Sequence, residues 1–539
     1  MRKLFYNGVI HTMNGDETTP SVTVEDGVVV ALGESPEGQP DGVGLEDLRG
    51  MTVLPGFHDS HMHFLNYAID KEKVELSHCR GLEDMARATR EYIEERELGE
   101  GDWIQGGGWN ENNFREAAAP NRQDLDAMSG GRPMIFTRAC CSVAVANTAA
   151  LRAAGIFEAP PQLDDGRIAL DENGVPTGLL EERARFLVYD KIPKIGKNAV
   201  KRLILDYQKD LLKAGLTTVQ TDDFKLWDAG FRDVMDAYSE LDAAGQLKLR
   251  FILQARLVDE GSLDDFLRMG LKTGDGGDYY KIGAYKLLPD GSLGGKTAAL
   301  RESYIGEPGN RGILTYARSE LYSLLEKAHL AGMQLATHAI GDRAMDMVLD
   351  CYEELARKHP SDDPRFRVIH CQITTEDIMD RFRALGALAD IQPMFIHADM
   401  RVCEALIGEG RTKWSYNWKT LLEKGVRVSG SSDAPVEPFD PLYGIYAAVT
   451  RKDMGGHPDG GWLPEQKLSL REAIELYTGG AAYTSYEEGR KGRLSPGYLA
   501  DFVVLGEDIF SAPEDHIKDI RVARTYVGGS LAHDADIDG

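Results

Sequence analysis

Leu54-Pro55-Gly56-Phe57-His58-Asp59-Ser60-His61-Met62-His63-Phe64 is the stretch on which the fold turns. It reads as a short apolar strand that ends in two histidines one residue apart. Strand side chains alternate between faces, so His61 and His63 point the same way and can reach one metal ion. Neutral imidazole nitrogens suit zinc and similar divalent cations, and two of them supply half a tetrahedral shell. The odd spacing of His58 turns it to the opposite face, which gives it a structural reading. A His-x-His pair does not make a site alone, so the rest of the chain must supply its partners.

The 539 residues exceed what one hydrophobic core serves, since cores stop growing near ~250–300 residues. A barrel of alternating strands and helices can nevertheless run past ~400 residues with insertions, so a large catalytic domain with a smaller companion is expected. Lys and Arg number 61 against 87 Asp and Glu, and 61 − 87 gives a net charge of −26. That balance argues against nucleic acid or anionic lipid as a partner. Six cysteines, Cys79, Cys140, Cys141, Cys351, Cys371 and Cys403, are too scattered for a disulfide framework and suit a reducing cytoplasm. No run approaches the ~18 apolar residues of a membrane span, and Met1 to Gly8 meets a turn before an apolar stretch of signal-peptide length develops. A cytoplasmic protein acting on a small molecule, without nucleic acid or membrane, is expected, and a homodimer is compatible with this composition.

Both ends of the chain read as β. Leu4 to Met13 and Ser21 to Leu32, with Asp26-Gly27 as a hairpin turn, are matched at the far end by Ala500 to Leu505 and by Ile520 to Leu531 broken at Gly528-Gly529. The middle alternates strands with helix-period segments such as Leu321 to Ala331 and Thr375 to Leu385. The strands run Val53 to His63, Leu216 to Asp222, Leu249 to Arg256, Tyr280 to Leu288, Gln334 to Ile340, Phe366 to Gln372, Leu388 to Pro393 and Val426 to Asp433. Eight such units predict an α/β fold, a (β/α)8 TIM-type barrel over 54–485, with a flanking β-sandwich domain built from both termini, 1–53 and 486–539. An insertion at about 72–201, with Trp103 to Trp109, Pro133 to Ala139 and a helix-like Asn147 to Ala154, is expected to carry substrate selectivity.

On a barrel of this kind the site lies at the strands' C-terminal ends, and the polar residues cluster there. Strand five ends in His338, strand six in His370 and strand eight in Ser432-Asp433-Ala434-Pro435, while strand four carries Lys286 within an apolar run. Burying an ammonium without a partner is costly. Lys286 therefore reads either as a lysine carboxylated by carbon dioxide that bridges two cations, or as half of a salt bridge to Asp290. Gly291 to Thr297 imitates a phosphate-binding loop, but its glycine spacing is one residue short.

The order Pro-Gly-Phe-x-Asp-x-His-x-His, a strand-four lysine, single histidines on strands five and six and a strand-eight aspartate resembles the amidohydrolase superfamily. His338-x-x-Gly-Asp342-Arg-Ala, Asp290-Gly291-Ser292, Gln392-Pro393 and Ser432-Asp433-Ala434-Pro435-Val436-Glu437-Pro438 are similar to its N-substituted formamide deformylase-like branch, over nearly the whole chain. The resemblance implies a metal-dependent hydrolase that cleaves a C–N bond of an amide, N-acyl, N-formyl or cyclic amide by metal-activated hydroxide. It implies one or two divalent ions, zinc first among them: His61 and His63 with Asp433 on one, His338 and His370 on the other, Lys286 as the carboxylated bridge. Asp433 and His338 would be catalytic. Trp109, within a Gly-Trp motif, Asp290, Gly291 and His397 are candidate substrate contacts. Ser142 stands where the branch carries a histidine after Arg138-Ala139-Cys140, which implies a different substrate. The same scaffold also serves non-hydrolytic relatives, isomerases or decarboxylases, and inactive scaffold homologues; the presence of all six ligands weighs against the last.

Overall fold

The computed structural model describes residues 2–538 apart from 116, 141, 164 and 226–229, so Cys141 lies outside the described residues. In it the opening stretch divides between two sheets. Thr52–Pro55 pairs antiparallel with Phe502–Leu505, whereas Phe57–Met62 pairs parallel with Leu216–Thr221. The single strand expected over Val53 to His63 is thus two strands, and the change of sheet occurs at one peptide: the Gly56 amide donates to the Asp501 carbonyl and the Phe57 amide to the Gly215 carbonyl. Glycine is required there by space. A Cβ added at Gly56 would lie 2.3 Å from Thr217 Cγ2.

Eight parallel strands form the large sheet: β1 (Phe57–Met62), β2 (Leu216–Thr221), β3 (Arg250–Arg256), β4 (Tyr280–Leu287), β5 (Leu335–Ala339), β6 (Arg367–His370), β7 (Leu388–Ile391) and β8 (Val428–Gly430). They are neighbours in chain order, the sign of repeated βα units. Helices such as Lys197–Lys213, Phe231–Ala243, Arg318–Leu330, Asp342–Lys358 and Glu376–Leu385 separate them. The barrel closes where β1 meets β8. There the Ser60 hydroxyl donates to the Gly430 carbonyl, the Asp433 amide to His61 and the His63 amide to Ala434.

Both termini build the second layer. A four-stranded sheet (Arg2–Tyr6, Val22–Glu25, Val28–Leu32, Gly44–Asp47) faces a six-stranded sheet in which Val9–His11, Thr18–Thr19 and Thr52–Pro55 join Phe502–Leu505, Val522–Val527 and Ser530–Asp534. Their shared core includes Phe5, Val22, Val24, Val53, Phe502, Val504 and Tyr526. Ring centroids of Phe5, Phe502 and Tyr526 lie 4.5–5.0 Å apart. Inward residues alternate along these strands, as a two-sheet sandwich demands. Arg250, at the start of β3, donates twice to Asp501, and both side chains are buried, which ties barrel to sandwich.

Tyr67–Ile195 is a separate compact unit. Its six strands, Val74–Glu75, Ile104–Trp109, Met134–Arg138, Val143–Ala146, Gly166–Leu170 and Pro176–Glu182, form one mixed sheet. Asn147 caps the helix Thr148–Ala153 by accepting the Ala150 amide. No helix among the described residues is long and apolar enough to cross a membrane.

Because the Gly56 backbone leaves no room for a methyl group, Gly56→Ala should lower the unfolding free energy by about 1–3 kcal/mol. A chemical-denaturation midpoint equal to that of the parent chain would contradict this account of the sheet crossing.

Candidate metal centre

The ends of β1 and β8 bring three donors together. His61 Nε2 lies 3.3 Å and His63 Nε2 3.1 Å from Asp433 Oδ1, and one ligand atom from each of the three residues falls within 4.8 Å of the others. Asp433 Oδ1 is buried and accepts no hydrogen bond from the described residues. A buried carboxylate oxygen without a donor is costly. Two imidazoles and a carboxylate around a buried, donor-free oxygen fit a divalent cation, with zinc suited to that donor set.

The opposite nitrogen of each imidazole is tied to an oxygen. His61 Nδ1 lies 2.8 Å from Gln254 Oε1, and His370 Nδ1 lies 2.7 Å from Gln392 Oε1. His63 Nδ1 lies 3.4 Å from the Asp222 carbonyl. His338 Nε2 lies 3.1 Å from Asp290 Oδ1 and 3.2 Å from the Gly291 carbonyl. An oxygen acceptor at one ring nitrogen fixes the proton there and leaves the lone pair of the other nitrogen free, which is how proteins orient histidine ligands. The nitrogens turned away from these oxygens are Nε2 of His61, His63 and His370 and Nδ1 of His338. The His338 and His370 rings lie 4.3 Å apart, and the His61 and His370 rings 6.2 Å apart, so the five residues form one cluster.

Lys286 Nζ lies 3.1 Å from His61 Nε2. Burial pushes this amine down to about 8, because the charged form is penalised away from water. The alternative salt bridge to Asp290 is not formed. Asp290 instead accepts the amides of Ala299, Ile340 and Gly341 as well as holding His338.

Backbone strain accompanies these ligands. His370, Cys371 and Asp433 have φ of 84°, 50° and 58°, a left-handed region that residues with a Cβ seldom enter. Asp59 supports the Asp433 turn: its carboxylate accepts the His61 amide and both the amide and the hydroxyl of Ser432. Burial raises the Asp59 carboxyl to about 7.

The candidate substrate contacts each have partners within the chain. Trp109 is 1% exposed in the core of the insertion and donates from Nε1 to the Phe136 carbonyl; it packs that core. Asp290 and Gly291 hold His338 from behind. His397 accepts the Met454 amide at Nδ1, joining two loops. His58 is buried with Nε2 against Gln220, in keeping with its structural reading. Sequence reasoning missed Asp59, Gln254 and Asp222. The available signal was a buried polar residue inside, or just beyond, an otherwise apolar strand.

The sequence model of the amidohydrolase family matches residues 44–533. A Bacillus subtilis relative named as amidohydrolase YtcJ is 34% identical over 99% of this chain and 100% of its own length. The N-substituted formamide deformylase of Arthrobacter pascens is 28% identical over 98% of each chain. An uncharacterized metal-dependent hydrolase from Pyrococcus horikoshii, solved by crystallography, superposes with a TM-score of 0.80 at 28% identity, covering 96% of this chain and 99% of that one.

Gln254→Leu removes the oxygen that orients His61 and should weaken divalent-metal affinity about 10- to 100-fold. Competition against a zinc-binding dye measures it, and unchanged affinity would show that Gln254 does not orient the ligand.

Proposed function

The chain belongs to the amidohydrolase family, and from that premise we propose that it hydrolyses the C–N bond of a small amide-type molecule with a divalent cation, zinc by preference. The carrying observation is the convergence of His61 Nε2, His63 Nε2 and the donor-free Asp433 Oδ1. Those three residues would hold the cation, with His338 and His370 beside them. Lys286 supports a second ion. Its depressed basicity leaves part of the amine uncharged near neutral pH, so the nitrogen could add carbon dioxide with loss of a proton, and the resulting carbamate would supply further oxygen donors to a cation. A bound cation supplies Lewis acidity toward water and toward the carbonyl oxygen.

The proton work falls to Asp433. Oδ1 faces the two histidines, which leaves Oδ2 to take a proton from the attacking water and pass it to the departing nitrogen, as general acid–base catalysis requires. Asp59 and Ser432 hold the turn that aims this carboxylate. His338, clamped at Nε2 by Asp290, keeps its Nδ1 lone pair fixed as a further position that would hold a cation. Fixed groups lower the barrier because their ordering is complete before substrate arrives.

Asp433→Asn should lower kcat about 10²–10⁴-fold on any amide the parent protein cleaves, with an unchanged thermal midpoint. Parent-like turnover would remove Asp433 from proton transfer. A panel of N-formyl, N-acyl and cyclic amides, assayed with added zinc or manganese and read by product mass, tests the reaction class. Products must sum to substrate plus one water, and an isomer or a loss of carbon dioxide would overturn hydrolysis.

A further inference from the structure

Directly beside the metal ligands stand an aspartate and an arginine whose polar atoms are almost unspent. Asp222 follows β2, and both its carboxylate oxygens are buried without a hydrogen bond among the described residues. Arg256 ends β3, and its Nε is likewise buried and unpartnered. The two approach only to 3.7 Å, between Arg256 Nη1 and Asp222 Oδ2, and Asp222 Oδ2 lies 3.8 Å from His63 Nδ1. Neither distance is that of a hydrogen bond.

The strand register shows which way Arg256 faces. The β3–β4 register shifts between Leu253 and Ala255, so the direction of Arg256 is read from its partners beyond that point. Arg256 is in register with Lys286 of β4, whose amine reaches His61. That register, with the approach to Asp222 beside His63, places Arg256 on the face that carries the candidate metal ligands. The Asp222 side chain is 0% exposed and that of Arg256 22%. The carboxylate is thus the enclosed counter-charge, and Arg256 is the member of the pair that solvent reaches. A guanidinium presents five N–H donors in a planar fork that matches a carboxylate bidentately. A partly buried arginine with that fork free is an anion receptor.

Resting on the amide-hydrolase reading, we propose that Arg256, backed by Asp222, selects substrates that carry a carboxylate close to the scissile amide, as N-acylated amino acids do. Asp222 positions the guanidinium; Arg256 touches the substrate.

The test uses the metal-loaded protein and a matched pair, N-formylphenylalanine and N-formylphenethylamine, which differ only in the carboxylate. The parent protein should favour the acid about 10- to 100-fold in kcat/KM, the range of a hydrogen bond to a charged group. Arg256→Gln should bring the ratio near one, and Arg256→Lys should recover part of it. A second measurement is independent of turnover: calorimetric titration with N-acetylphenylalanine and N-acetylphenethylamine in parent and Arg256→Gln protein. Tighter binding of the acid that disappears in the variant supports the subsite even if neither formamide is cleaved, an outcome that would count against the amide reading alone. Cleavage or binding without preference for the acid, or a preference that survives Arg256→Gln, overturns the subsite and leaves the hydrolase reading standing. Absence of N-acetylphenylalanine binding together with no cleavage of N-formylphenylalanine overturns it as well.

Discussion

The meeting of β1 and β8 governs the rest of the structure. A sheet of eight parallel strands leaves two edges, and an unpaired edge must be covered or closed. Here the closing hydrogen bonds run through the candidate metal ligands: the Asp433 amide donates to His61, and the His63 amide donates to Ala434. Asp59 reinforces the join by accepting from His61 on one strand and Ser432 beyond the other. The contacts that shut the barrel are therefore those that set two imidazoles and a carboxylate around one point. The same hydrogen bonds thus hold the barrel closed and hold these three side chains in place.

Around that join, orientation is imposed from behind. Four oxygens, from Gln254, Gln392, Asp222 and Asp290, meet the outward nitrogens of His61, His370, His63 and His338. None of the four needs to touch a cation to decide where the lone pairs point. Asp290 shows the economy of the scheme, since one carboxylate fixes His338 and gathers three backbone amides from the segments after β4 and β5.

Much of this was legible in the sequence. Apolar runs separated by helix-period segments gave eight strands, because buried parallel strands carry a continuous signal. Histidines at strand ends stood out because apolar runs seldom finish that way. Two things were hidden. The change of sheet at Gly56 leaves no break in hydrophobicity, as Thr52–Pro55 and Phe57–Met62 are buried throughout, and only the approach of Thr217 in space reveals it. The roles of Asp290, Gly291 and Trp109 were hidden for the opposite reason. Their residue types and positions suited a pocket, while the partners that occupy them, His338 and Phe136, come from elsewhere in the chain.

The barrel holds buried charge in two tiers, and the difference between them separates support from chemistry. In one tier Arg367 donates to Asp390, Gln220 and the Ser60 carbonyl, and Asp390 also accepts from Ser429. Every charge there has its partner, as a buried pair needs in order to recover its desolvation cost. In the other tier the ledger stays open. Of the nine buried side-chain polar atoms without a partner among the described residues, four belong to Asp222, Arg256 and Asp433. Leaving one such atom unmade costs about 1–3 kcal/mol, so four at one mouth would be a heavy burden on a merely structural element. The burden is intelligible if those atoms are completed from outside the chain, by a cation at Asp433 and by substrate at Arg256. The saturated tier beneath keeps the unsaturated one rigid enough to wait for them.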